Sequence, residues 1–502
     1  MRYFKLFLIL FISIVALPGE ATESSQAREA LPNIISLYPK LKDCDYNNLK
    51  TAFYRESRSE GEGALYRDVT LTEAGTLAEV LGADTLSIDS VVVRGPINEA
   101  DFDMMWKCSL YGDLRVIDLS DAIVADGKIP QRAFFHPDVQ LDWDNGKIYI
   151  LRLEKLLLPS GVTEIDDWAC SYATKLKYIK FPDSLVRIGL SAFTNCKSLT
   201  ADSLVFHEGL EEFAGQCFYQ CYELKGEVVF PESVKYIASA AFYQSCINSK
   251  RLPSSLEFLG SFAFAGCRFE EAILPDNCVF SSGCQFMNNY PLVRAHLPEN
   301  SDVVPEAIFN ECWNLQEVNI PKSAVYIRPS AFEGCLALPS VELPEGVEHL
   351  DYWAFRGCDA LETVMLPSTV NFIGSGCFET TKNVKRVYCK AMVPPECEPS
   401  NFYPNTGPFG TYDDPNWHGM SPDTPLYVPK GTGDLYRSTW GWSYFKNIIE
   451  TDDFPSLSVS GIDVDGGDEA DAPVYDLMGR RVDSPQPGQI YIRAGKKFTI
   501  KP

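Results

Sequence analysis

The side chains of this chain that could do chemistry are its five histidines, its sixteen cysteines and an acidic run near the C-terminus. His136, His207, His296, His349 and His418 lie tens of residues apart, and none belongs to an HExxH or other metal-ligand spacing. Cys217 and Cys221 sit in CFYQC, which is not the CxxC of a redox or zinc site. Asp463, Asp465, Asp468 and Asp471 suggest a calcium loop, but an EF-hand beginning at Asp463 needs a carboxylate or amide where Gly467 stands and a Glu where Val474 stands. That stretch reads instead as a solvated acidic hinge. With no nucleophile elbow, phosphate loop or dinucleotide fingerprint either, the expectation is a non-enzyme: no catalytic residues, no metal ligands and no cofactor.

The remaining candidate is apolar, and it depends on a periodic frame. Prolines recur at Pro159, Pro182, Pro231, Pro253, Pro275, Pro298, Pro321, Pro344 and Pro367, with His207 in the equivalent place, at a period of 22 to 25 residues. In nine of these ten units a Phe follows eleven residues later, and Cys170 fills that slot in the first. Such a period is the signature of a solenoid. In LKYIKFPDSLVRIGLSAF the residues Leu176, Ile179 and Phe181 should point inward before the proline, Leu185 and Ile188 after it, and Ala192 and Phe193 at a third corner. Pro182 closes the first strand because it has no N–H to continue a ladder. About seven buried apolar side chains, at roughly 1.5–3 kcal/mol each, do not offset the ordering of some 23 residues at roughly 1–2 kcal/mol apiece. The array, not the unit, must therefore fold.

The fifth residue after each anchor should project outward from the second strand. It is Glu164, Arg187 and Glu212 in the first three units, then Tyr236, Phe258, Phe280, Val303, Tyr326, His349 and Phe372. Stacked at about 4.8 Å per turn, these would make a stripe about 30 Å long. Two readings stand: a ligand-binding surface for protein or sugar, or rings that stabilise the face by stacking or lie under a cap. Cys196, Cys221, Cys267, Cys312, Cys335 and Cys358 fall three residues after the repeat Phe and Cys246 four after it, so they read as a column of small buried hydrophobes. Parallel strands hold such positions too far apart for disulfides. The better disulfide candidates lie outside the ladder, as Cys389 with Cys397 and Cys44 with Cys108.

The flanks complete the organisation. Arg2 and Lys5 precede an apolar run, Leu6 to Leu17, too short to span a bilayer and followed by small residues at Gly19 and Ala21. The expected layout is a signal peptide at 1–21, an N-terminal cap region at 22–112, a divergent first repeat at 113–152, the repeat array at 153–388, a C-terminal cap with a terminal repeat-like unit at 389–452, a linker at 453–472 and a small β module at 473–502. Within the first cap, 72–82 has helical spacing with Leu77, Val80 and Leu81 on one face, and in the divergent first repeat Asn145-Gly146 suits a hairpin turn. A formal charge of −24 and a pI near 4.7 argue against nucleic acid and against anionic lipid, and no transmembrane segment is expected.

The units LEKLLLPSGVTEI, LKYIKFPDSLVRIGLSAFTNC and LETVMLPSTVNFIG resemble the BspA-like leucine-rich repeat proteins exported by Bacteroidota, and VYDLMGRRV with GQIYIRAGKK is similar to short C-terminal modules of exported proteins in that phylum. The fold class is then α/β: a leucine-rich repeat solenoid, β-rich, of short strands joined by short helices or turns, with N- and C-terminal caps. The resemblance implies a cell-surface or extracellular protein, with the periplasm as the other exported location. Its implied role is adhesion or ligand capture, and its partner a host or bacterial surface protein or a glycan bound by a monomer. A structural, self-assembling surface component is the other class of function.

Overall fold

The computed structural model describes residues 65–142, 147–400, 406–410 and 419–455, together with the strands Val474–Tyr475, Ile490–Arg493 and Lys496–Thr499. The expected signal peptide, Cys44, His418 and the acidic hinge lie outside the described residues.

Each turn of the array has three sides. The first strand precedes the proline, as in Lys155–Leu157 and Tyr178–Lys180, which pair in parallel with Ile179 opposite Leu156. The second follows it, as in Glu164–Ile165 and Arg187–Ile188. The third carries the repeat Phe and is built of turns, not helices. There Ser191, Phe193 and Asn195 donate their N–H groups to Gly215, Cys217 and Tyr219 of the next turn at 2.9, 2.7 and 2.8 Å. Left-handed backbone at Ser191 and Asn195 (φ 53° and 60°) aims those donors outward along the stack. Among the described residues of 153–388 the sole helical element is a 3-10 turn at Ala201–Ser203. Of the two connections anticipated, the array uses turns.

The inward pattern is as expected: Leu176, Ile179, Phe181, Leu185, Ile188, Ala192 and Phe193 are all buried. The repeat phenylalanines form one continuous stack. Ring centroids from Phe193 through Phe218, Phe242, Phe264, Phe286 and Phe309 lie 5.2, 5.3, 5.7, 5.7 and 6.1 Å apart. The stack continues through Phe332, Phe355 and Phe378 at 5.8, 5.2 and 5.5 Å. Phe409, from the segment after the array, adds a further rung 6.0 Å beyond Phe378, and Trp442 packs on it at 5.2 Å.

The thiol column has a purpose beyond filling space. Cys221, Cys267, Cys312, Cys335 and Cys358 each donate S–H to the carbonyl of the preceding turn's Phe, at 3.1–3.3 Å. Cys196 does the same to Cys170, which occupies the Phe slot. All fifteen described cysteines are free. The proposed Cys389–Cys397 disulfide is therefore corrected: the two residues end strands of different sheets, Arg386–Cys389 beside Thr363–Leu366 and Glu396–Cys397 beside Phe372–Ile373. Cys389 instead accepts a hydrogen bond from the Tyr436 hydroxyl at 3.2 Å.

The sheet begins before the repeat register does. Leu65–Thr70 pairs in parallel with Ile88–Ile97, which pairs with Val116–Asp118, which pairs with Lys155–Leu157. The helix Glu99–Tyr111 starts with Asn98 and Asp101 in a reciprocal capping box and buries Phe102, Met105 and Trp106. Phe102 meets Phe134 edge-to-face at 5.9 Å. Fully buried Asp101 also accepts the N–H groups of Gly75 and Leu77 at 2.6 and 3.0 Å, tying down the loop before the helix Leu77–Leu81. In that helix Leu77 and Leu81 are buried but Val80 faces solvent, contrary to the three-residue face expected. Leu141–Asp142 and Lys147–Ile148 form the antiparallel hairpin anticipated around Asn145-Gly146. The tail strands Val474–Tyr475, Ile490–Arg493 and Lys496–Thr499 form an antiparallel sheet.

Burial pushes the thiols up, to about 12 for Cys267 and Cys278 and about 11 for Cys389. Their contribution to stability is fully present below the unfolded thiol's pKa. It is lost as pH climbs from there toward the raised native values, because the unfolded chain ionises first. Urea unfolding at stepped pH should show stability falling above pH ~9. Alkylation of native protein should spare the described cysteines other than half-buried Cys246 and Cys284, and denaturant should expose all of them.

Candidate functional site

The second strands make the face on which the sequence places its candidate residues. They form two sheets. The first runs through Lys128–Ile129, Glu164–Ile165, Arg187–Ile188, Glu212–Phe213, Tyr236–Ile237, Phe258–Leu259 and Val279–Phe280. The second runs through Val303–Val304, Tyr326–Ile327, His349–Leu350, Phe372–Ile373 and Glu396–Cys397.

At the start of the first sheet the outward column alternates in charge. Arg187 bridges Glu164 at 2.8 Å and Glu212 at 3.1 Å, and Lys128 reaches Glu164 at 2.6 Å. These cations hold the Glu164 carboxyl below its usual range, Lys128 contributing most through its hydrogen bond. The ladder is polar and self-satisfied, so it offers a partner little. Tyr236 and Phe258 follow in register. Tyr236 is exposed and donates its hydroxyl to Glu257 at 3.1 Å.

In the second sheet three candidates come together. Tyr326 stacks on His349 at 4.9 Å and 22°, and His349 lies 5.6 Å from Phe372. All three are half-buried, and the Arg328 guanidinium lies over the Tyr326 ring at 4.8 Å. An arginine over this half-buried ring is a cation–π contact that also stiffens the edge of the platform.

Phe280 is corrected. The register sets Val279, not Phe280, opposite Phe258, and Phe280 opposite inward-facing Leu259. Val279 is 61% exposed while Phe280 packs partly buried on the core. The continuous stripe is thereby divided into two aromatic segments, with Tyr236 and Phe258 on one side and Tyr326, His349 and Phe372 on the other.

The ladder itself is also interrupted beside this slip, where a covalent feature removes a donor. The seventh residue after the anchor donates its N–H to the preceding turn at Gly189, Ala214, Ala238, Gly260, Arg328, Asp351 and Gly374, at 2.7–3.0 Å. Of the two intervening turns, the first slips so that Ser281 donates instead, to Leu259 at 3.3 Å, and in the second that residue is Pro305, which has no N–H to give. The ladder stops between Val279–Phe280 and Val303–Val304. The same two turns remain joined on their other sides, where Ala272 pairs with Ala295 and Phe286 N–H donates to Ile308 at 3.0 Å. They part on this face alone, and a cleft of about 770 Å³ opens there.

The histidines do not converge. His136 lies against Trp106 with centroids 4.0 Å apart, and burial pushes its pKa down. His207 contacts Asp183 at 3.1 Å, and His296 lies in the first-strand sheet opposite Ile273. Among the described residues no three His, Cys, Asp or Glu side chains are grouped as a metal site, and no helix is long and apolar enough to cross a membrane.

Parallel short strands, a leucine- and phenylalanine-lined interior and one turn per 22 to 25 residues define a leucine-rich repeat β-solenoid. The BspA type leucine rich repeat region matches the chain in six copies over residues 148–270, 226–335 and 281–394. The chain belongs to that family through this region. Its backbone is similar to a crystal structure of a leucine-rich repeat protein from Bacteroides ovatus, at 20% identity over 61% of this chain and 72% of that one, with a TM-score of 0.43. A leucine rich cell surface protein from Faecalibacterium prausnitzii matches at 21% identity over 52% and 82%, with a TM-score of 0.31. The pneumococcal vaccine antigen PcpA matches at 15% over 73% and 80%, with a TM-score of 0.30. No curated protein matches the sequence.

The charged end should behave as an ordinary surface network. Arg187→Met should destabilise the chain by about 1 kcal/mol or less in low salt. The loss should shrink in 1 M salt, where the Debye length is about 3 Å, as read by paired urea titrations.

Proposed function

We propose that this chain is an exported, surface-exposed repeat protein that binds a protein or glycan ligand through its second-strand face, without catalysis. The observation that carries the reading is the outward grouping of Tyr326, His349 and Phe372 on consecutive turns, with Tyr236 and Phe258 beyond the cleft. Rings fixed by a backbone ladder lose little entropy when a partner docks on them. Their faces suit both sugar rings and apolar protein side chains. Exposed aromatic surface on a chain with a formal charge of −24 is otherwise a solubility cost. Export follows from the basic and apolar N-terminal pattern of Arg2, Lys5 and Leu6 to Leu17.

A glycan and host-protein array probed with the full chain tests this. Tyr236→Ser with Tyr326→Ser should weaken capture by about tenfold or more, the scale of losing a binding hot spot, while the unfolding midpoint stays close to wild type. Intact binding with lowered stability would assign the rings to packing alone. Light scattering of the same preparation should give a monomer, and a concentration-dependent polymer would favour a self-assembling component.

A further inference from the structure

We infer that the cleft between Val279–Phe280 and Val303–Val304 is a subsite for an extended cationic peptide, of the pattern basic–x–apolar–x–basic. The inference rests on the binding reading above and names the partner's chemistry. Three features on the page converge on it.

The first is backbone. With Pro305 unable to donate, the two strand edges face each other without a ladder between them. The Val303 carbonyl takes the Ser301 hydroxyl of its own turn at 2.7 Å. Open strand edges in a groove are completed by an added main chain, which a sugar does not carry. The second is the middle of the cleft, which is apolar: Val279, Phe280, Val303, Pro305 and Pro329 line it. The third is charge. Asp302 and Glu306 flank Val303–Val304 on either side, and Asp276 and Asp351 also line the cleft, against a single cation, Arg328. Arg328 is already engaged, 3.5 Å from Asp351 and over Tyr326. Asp302 and Glu306 are both exposed.

The spacing of these two carboxylates sets the pattern. Asp302 and Glu306 flank the two-residue strand Val303–Val304, and the chain between them spans at most about 13 Å at the strand rise of ~3.3 Å per residue. In an extended ligand, residues i and i+4 stand the same distance apart on one face, with i+2 between them. Two basic side chains would thus meet the two carboxylates while an apolar one rests on the middle. The chain's own acidity would speed the encounter with such a segment and make it salt-sensitive.

The test uses the full chain and fluorescein-labelled peptides read by anisotropy. One carries Lys-Thr-Val-Thr-Lys between glycines, one has Glu at both Lys positions, and one has the two Lys adjacent. Only the first should bind well. Asp302→Asn with Glu306→Gln should weaken it about tenfold or more, as expected when two facing charges are removed, with the unfolding midpoint unchanged. Tyr236→Ser, on the far side of the cleft, should leave it unaltered. Equal binding of all three peptides, or of the first peptide to the double variant, overturns the inference. So does failure of the first peptide to bind while maltohexaose binds, which would make the cleft a glycan site. Array capture lost in the tyrosine variant but kept in Asp302→Asn with Glu306→Gln would refute the cleft and leave the aromatic reading standing. Peptide capture by wild type with array binding indifferent to the tyrosines would do the reverse.

Discussion

No turn of this protein can bury its own interior, so everything depends on contact between consecutive turns. The stack of phenylalanines from Phe193 to Phe409 is where that dependence is concentrated. Each ring lies 5.2–6.1 Å from the next, and each is covered only because its neighbours are present. The thiols bind the same column from beside it, tying a cysteine of one turn to the Phe carbonyl of the turn before. That carbonyl is buried, and leaving it without a donor would cost about 1–3 kcal/mol. The recurring geometry is therefore a hydrogen-bonding arrangement as well as a packing one, and it accounts for the described cysteines being free thiols.

A structure held by backbone bonds on three sides and by a ring stack can lose one connection locally and survive. Between Pro275 and Pro298 it does so. The first strands stay paired and the rings stay stacked while the second-strand ladder lapses at Pro305. The neighbouring turn differs in its interior too. Asn289 stands where other turns place the cysteine, and it holds the Phe264 carbonyl through its amide at 2.8 Å. The chain thus keeps the bond that the core requires and gives up one on the face that solvent reaches. Loss of a ladder bond at an exposed edge is cheap because water can replace it. The slip at Val279–Phe280 divides the aromatic segments, and the missing donor at Pro305 contributes to the cleft between them.

Much of the fold could be read before any coordinates. Proline and phenylalanine at fixed offsets identify the inward residues of a turn, and Leu176 through Phe193 are buried as the period demands. The candidate face was readable where turns repeat faithfully, as at Tyr326, His349 and Phe372, which share one register. It failed at Phe280, because counting from Pro275 assumes that every turn keeps the same local path, and this one slips by a residue at its strand. Pro305 was a usable signal, since a donor-less residue in a ladder position is visible in sequence. The left-handed corners were less so, for residues such as Gln216 and Ala240 adopt φ near 57° and 56° without glycine's preference for it. Their conformation is imposed by the stack. Cys389 and Cys397 are close in sequence but go to different sheets, a separation that only the turn geometry reveals.

The central claim is that a continuous stack carries one gap, on its second-strand face. Native-state amide hydrogen exchange, resolved by residue, tests it most directly. The amides of Asp302 and Val303 should exchange far faster than those of Val325 and Tyr326, which occupy the same places one turn on and bond Asp302 at 2.8 and 3.3 Å. Phe309, bonded to Ala331 at 3.0 Å in the stack of the same turn, should stay protected. Equal protection at Val303 and Tyr326 would mean that the ladder is unbroken, and the account of the cleft would fall.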